Sequence, residues 1–141
     1  MGQYEREANA NTLKGFITMG LRPGYRAGAA VLAPQDALGL LSDVNAEMSG
    51  SDMTPIPCKC TEGTLVMWSG GQEYREPVVT MEFSWSPRQE PMAPDAFERT
   101  LFEYADRLGG RLGQERVYVE FGGRTTVLRR RAPNDSRPGA T

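Results

Sequence analysis

The sequence predicts an α+β fold: a ferredoxin-like split βαββαβ sheet with two helices on one face and an extra C-terminal hairpin strand. Three observations carry that prediction. From Arg75 to Phe121 the spacing of apolar residues changes from two to nearly four and back to two, the pattern of strand, helix and strand. Ahead of it, Leu13 to Leu21 alternates, and the stretch after Pro34 repeats at helical spacing. Glycines at Gly70-Gly71 and Gly122-Gly123 separate neighbouring strand patterns, as hairpin turns do.

Residues 1–12 lack periodicity and are expected to form a flexible N-terminal arm, ahead of a single α+β domain spanning 13–129. The first strand runs from about Leu13 to Leu21, with Ile17, Met19 and Leu21 on one face. Arg22 to Gly28 follows as a basic, aromatic loop broken by Pro23 and Gly24. Pro34 suits the first position of a helix, and Leu38, Leu41, Val44 and Met48 then repeat up to Gly50. Pro55-Ile56-Pro57 forbids helix and leads into a strand from Cys58 to Trp68.

Ser69 to Glu73 is expected to turn the chain through a connection longer than two residues, into a third strand from Pro77 to Trp85. Val79, Met81, Phe83 and Trp85 give that strand one apolar face. The second helix covers Asp95 to about Leu112, where Phe97, Leu101, Tyr104, Leu108 and Leu112 form a stripe that Phe102 and Ala105 widen. Asp95 and Glu98 read as a capping box, and Gly109, Gly110 and Gly113 end the helix. Glu115 to Phe121 is the fourth strand, and Gly122-Gly123 is a two-residue hairpin into Arg124 to Arg129. Residues 130–141 have no apolar face and are expected to be a disordered tail.

At 141 residues, with 39% hydrophobic and 24% charged residues, the chain can bury one real core. A formal charge of −2 disfavours nucleic acid and anionic membrane as general partners. The N-terminal stretch is charged rather than apolar and no run is long enough to span a bilayer, so a cytoplasmic protein is expected. Histidine is absent, which removes the commonest general base, metal ligand and triad partner. The two cysteines, Cys58 and Cys60, would face one way on a strand and cannot by themselves close a tetrahedral zinc site. No metal or cofactor is therefore expected.

The residues that suggest a site lie at the starts of the third and fourth strands. Arg75 and Glu76 at the one, and Gln114 and Glu115 at the other, are placed to converge at one end of the sheet. Arg offers a planar fork of donors to a carboxylate or phosphate, and Trp68 offers a stacking wall. With Arg22 and Arg26 from the basic loop, these form the candidate ligand-binding set. The simpler alternative is that Arg75 and Glu115 pair across the sheet end and hold register.

Trp68, Gly71, Tyr74-Arg75-Glu76-Pro77 and Gly113-Gln114-Glu115 with Val117 resemble a small bacterial family of unknown function, DUF3574, over residues 63–119. That family has an aromatic hairpin leading to an R-E-P-[ST] stretch and a helix ending in G-Q-E-x-V. Val78 here stands where the family has Ser or Thr. The resemblance implies a fold and no known reaction. Many members look exported, which this chain does not.

Helices on one face leave the other sheet face open, and Phe16, Thr18, Thr80, Glu82, Tyr118 and Glu120 would populate it. Its mixed character predicts an interface closed by a homodimer or higher homo-oligomer. Two functions follow. The first is a small non-catalytic binding module, of the kind a phage or mobile element uses to inhibit a host protein, holding that protein or a small anionic, nucleotide-like ligand. The second is a cofactor-free enzyme of the dimeric α+β barrel type acting on a small organic substrate, with Glu82 or Glu120 as its acid or base.

Overall fold

The computed structural model describes residues 2–22 and 32–131. Its elements are β1 (Lys14–Gly20), α1 (Pro34–Ser49), β2 (Cys58–Ser69), β3 (Gln72–Ser84), α2 (Pro94–Arg111), β4 (Arg116–Phe121) and β5 (Arg124–Arg129). The strands form one sheet in the order β2-β3-β1-β4-β5, every neighbouring pair antiparallel. This is the expected split βαββαβ layer with β5 added at the edge, and both helices pack on one face.

Alternation decides which side each strand residue serves. Ile17 and Met19, Val79, Met81 and Phe83, and Val117 and Val119 are buried under the helices. From α2, Phe97, Leu101, Tyr104, Ala105 and Leu108 descend onto them. From α1 come Ala37, Leu41, Val44 and Met48, a spacing of four, three and four residues. Leu38, expected in that stripe, is instead 51% exposed, because Ala37 holds the first inward position.

The helix boundaries differ from expectation by a residue, for a reason local to proline. Pro94 takes the first helical position, where a missing N–H costs nothing, so Ala93 is the cap and Asp95 already lies inside the first turn. Asp95 Oδ1 accepts the Ala96 N–H at 3.0 Å, and the expected pairing with Glu98 is not made. At the far end Gly113, at φ +66°, reverses the chain, while the Gln114 N–H donates to the Gly109 carbonyl at 3.0 Å. Gly109 stays helical, and its lack of a side chain lets α2 approach β4: a Cβ there would stand 2.6 Å from Val117 Cγ2.

The β2–β3 connection is the larger correction. Ser69 pairs with Gln72, so the turn is only Gly70-Gly71, at φ +59° and +76°. Both strands therefore run to the turn, and β3 begins at Gln72 rather than Pro77. Pro77 had marked a boundary because it cannot donate to a ladder, yet its carbonyl accepts the Leu21 N–H at 2.9 Å. β1 pairs with β3 only as far as Gly20 opposite Val78. Beyond that point β2 and β3 leave the sheet as a two-stranded arm.

Tyr104 joins three elements at the centre of the core. Its ring lies 4.6 Å from that of Phe83, and its hydroxyl donates to Asn45 Oδ1 on α1 while accepting the Ile56 N–H at 3.0 Å.

Candidate functional site

The face without helices carries the candidate site, and Gly20 is its floor. A Cβ on Gly20 would lie 3.1 Å from Gln114 Oε1 and 3.2 Å from Glu76 Oε2, so a side chain here would press on both polar groups. Glu76 reaches this point from β3, on the same face as Gly20 by strand alternation, and Gln114 reaches it from the turn that follows α2. Each is 8% exposed, and together with Thr100 they are the buried polar residues among those described. Thr100 is satisfied inside its own helix by the Ala96 carbonyl, so it serves no site.

Glu76 and Gln114 are held by neighbours. Tyr74 Oη donates to Glu76 Oε2 at 3.0 Å, from two residues earlier on the same strand face. Gln114 Nε2 donates to the carbonyls of Leu112, at 3.4 Å, and Arg22, at 3.5 Å. Those bonds leave a buried carboxylate and a buried amide facing Gly20 on the side of the sheet without helices. Such a pair can hold a cation and a hydrogen-bonding group of a small polar ligand.

The other expected ligand-binding residues are placed differently. Arg75, next to Glu76 in sequence, faces the opposite side of the strand and pairs with Glu73 at 2.9 Å, so it joins neither Gln114 nor Glu115. Glu115 is exposed and its carbonyl accepts the Arg130 N–H at 2.8 Å. Trp68 is 75% exposed on the arm. Arg22 contributes its carbonyl, and Arg26 lies outside the described residues. Tyr74, which orients Glu76, was part of the resemblance but not placed among the candidate ligand-binding residues; its place two residues before Glu76 in a strand was the available signal.

The expected interface residues all lie on this open face. Thr18 and Thr80 meet across β1 and β3 with their hydroxyls 3.4 Å apart, beside Phe16, while Tyr118 and Glu120 are exposed on β4. Glu82 is already engaged: Lys59 Nζ lies 3.0 Å and Lys14 Nζ 4.0 Å from it, and the hydrogen bond from Lys59 holds its carboxyl below the usual range. The same engagement makes it a weaker base. Cys58 and Cys60 pair with Phe83 and Met81 and so face the helices, where burial pushes the Cys58 thiol well above its ordinary range, with Cys60 adding to the shift. Among the described residues no three metal-ligating side chains gather.

Two concavities lie away from Glu76. One of about 580 Å³ is bounded by Trp85, Met92 and Ala96, and a groove of about 950 Å³ runs between α2 and β5, past Gln114 and Glu115 to Arg129. The buried carboxylate lines neither, whereas Gln114 lines the groove, so the candidate site is set by the meeting of Glu76 and Gln114 at Gly20.

This architecture has a counterpart among solved structures. Over 91% of this chain and 97% of the other it matches a phage SAM lyase in complex with S-methyl-5'-thioadenosine, with a TM-score of 0.62 and 15% identity. A phage SAM lyase in its apo state matches with a TM-score of 0.61 and 16% identity, over 92% and 97% of the two chains. No family model and no curated protein sequence matches the chain. At such identity the likeness establishes the fold, an α+β layer that a phage enzyme uses over nearly its whole length. It stands against the expectation of a non-catalytic inhibitor module, because the protein that shares this fold is an enzyme. Among the described residues no helix is long and apolar enough to cross a membrane.

Proposed function

We propose that the chain is a small lyase that opens a carbon–sulfur bond of S-adenosylmethionine, using substrate and side chains alone. The observation that carries this reading is the coincidence of two facts. The fold matches that of a phage SAM lyase end to end, and the buried carboxylate of the open face, Glu76, sits where a sulfonium cation would be attracted. Such a substrate places the protein in the cytoplasm.

S-methyl-5'-thioadenosine is what remains of S-adenosylmethionine when the bond from sulfur to the aminobutyrate γ-carbon breaks. Both electrons of that bond go to sulfur, which departs as a neutral thioether. The γ-carbon takes its new pair from the substrate's own α-carboxylate, closing a five-membered lactone. No proton has to be removed and no water is consumed, a route that suits a chain without histidine. In this scheme Glu76 holds the sulfonium, Tyr74 fixes the carboxylate through its 3.0 Å hydrogen bond, and Gln114 binds the polar end of the substrate.

The test is release of S-methyl-5'-thioadenosine from S-adenosylmethionine by the purified protein, followed by liquid chromatography and mass spectrometry. Wild type is expected to release it, Glu76→Gln to lose on the order of 10²-fold in kcat, and Arg75→Ala to stay within about threefold, since Arg75 faces away. Wild-type protein that is folded by circular dichroism, releases no product and gains no thermal stability from S-methyl-5'-thioadenosine overturns the reading.

A further inference from the structure

We propose that Cys58 and Cys60 form a two-sulfur binding site for a monovalent thiophilic cation, Cu(I), at the start of β2. The two lie two residues apart on the strand, so alternation turns both side chains toward the helices. Their Cα partners on β3 are Phe83 and Met81, both buried, and the thiols pack against the same core while staying partly open to solvent. β2 is an edge strand, so no further strand closes off its outer side.

The thiols engage one another. Cys58 and Cys60 are in side-chain hydrogen-bonding contact, and each perturbs the ionisation of the other. Cys58 Sγ also reaches the Lys59 carbonyl at 3.7 Å, a weak contact that a bound ion can replace. Packing alone would be met by two small apolar side chains at this half-buried strand start, without bringing two sulfurs together.

The donor set selects the ion. Thiolates suit Cu(I) and zinc alike, so coordination number decides: zinc takes four ligands, whereas Cu(I) is satisfied by two thiolates in line. Neither a histidine nor a third cysteine exists in the chain to complete a zinc site. Lys59, between the two thiols, points to the opposite sheet face and pairs with Glu82, so the sulfurs are left among apolar and thioether side chains. Binding exchanges two S–H protons, which pass to solvent, for one Cu(I); no oxidation state changes and the site keeps one negative charge. Burial that holds the free Cys58 thiol protonated is overcome by the two Cu–S bonds.

Cu(I) titration tests the site on the full chain. Reduced protein is loaded with Cu(I) under anaerobic conditions and challenged with the chelator bathocuproine disulfonate. Wild type is expected to retain a single Cu(I) per chain, and Cys58→Ser and Cys60→Ser each to bind it on the order of 10²-fold more weakly. Cys60→Ser combined with Thr61→Cys keeps two thiols but puts them on opposite faces, at a position that is already exposed. That chain is expected to fold by circular dichroism and to bind Cu(I) as weakly as a single-cysteine variant. X-ray absorption at the copper edge of loaded wild type is expected to show sulfur ligands alone. A wild type that surrenders Cu(I) as readily as Cys58→Ser, a relocated pair that binds as well as the native one, or nitrogen or oxygen among the ligands of copper overturns the proposal, whether or not S-adenosylmethionine is cleaved.

Discussion

A Cβ on Gly109 would stand 2.6 Å from Val117 Cγ2, so α2 meets β4 at a separation only glycine permits. Gly109→Ala gains helix propensity worth about 1 kcal/mol but overpacks the contact by about 1–3 kcal/mol, for a net loss of up to roughly 2 kcal/mol. Urea unfolding should show the midpoint fall in Gly109→Ala and recover in part in Gly109→Ala with Val117→Ala, which makes room for the methyl. The sequence had marked Gly109 as a helix end, because glycine serves both stops and close approaches and only the neighbour distinguishes them. Cys58 gives a second prediction at this scale. Burial raises its thiol above the ordinary value of 9.0, and Tyr104 is raised from 10.0 by burial as well. A raised group adds stability that is whole below its unfolded pKa and drains away as pH climbs past it. Urea midpoints should therefore hold up to about pH 9 and fall above it, and Cys58→Ala should flatten that fall.

Among the elements, the two helices were the most legible, because a stripe such as Phe97, Leu101, Tyr104 and Leu108 has one meaning in any sheet-packed domain. What joins them was not legible. Asn45, Ile56 and Tyr104 lie far apart in sequence, and only the folded chain shows the Tyr104 hydroxyl linking α1, α2 and the start of β2. Tyr104→Phe keeps the ring against Phe83 but strands the buried Ile56 N–H, at a cost of about 1–3 kcal/mol. Its urea midpoint should fall with no change in slope; an unchanged midpoint would mean that water reaches Ile56. The arm was misread for a different reason. Pro77 resembled a strand start, and nothing in the alternation of β2 says that its outer half has only β3 for a partner. The candidate site was half visible on the same ground. Glu76 and Gln114 were named together and meet at Gly20, but Arg75 was grouped with them although neighbours in a strand point to opposite faces.

Across the whole molecule the two sheet faces divide the work. Every large fully buried side chain is under the helices, from Ile17 to Leu112, whereas the buried carboxylate and amide lie on the uncovered side. No residue from Thr61 to Tyr74 is in the core or packed against it, so the arm adds nothing to the apolar unit that folding must close. Joining Val66 to Arg75 through Asn-Gly, in place of residues 67–74, keeps a type I′ turn and removes only exposed or half-buried side chains. That shortened chain should lose no more than about 1–3 kcal/mol in urea, the cost of leaving the buried Glu76 carboxylate without its Tyr74 hydrogen bond. The proposed cleavage of S-adenosylmethionine should also be far slower in it, since it loses the Tyr74 hydroxyl that orients Glu76. A loss on the order of 5 kcal/mol or more would instead make the arm part of the folding unit, and the division between the packed and the uncovered sheet face would fail.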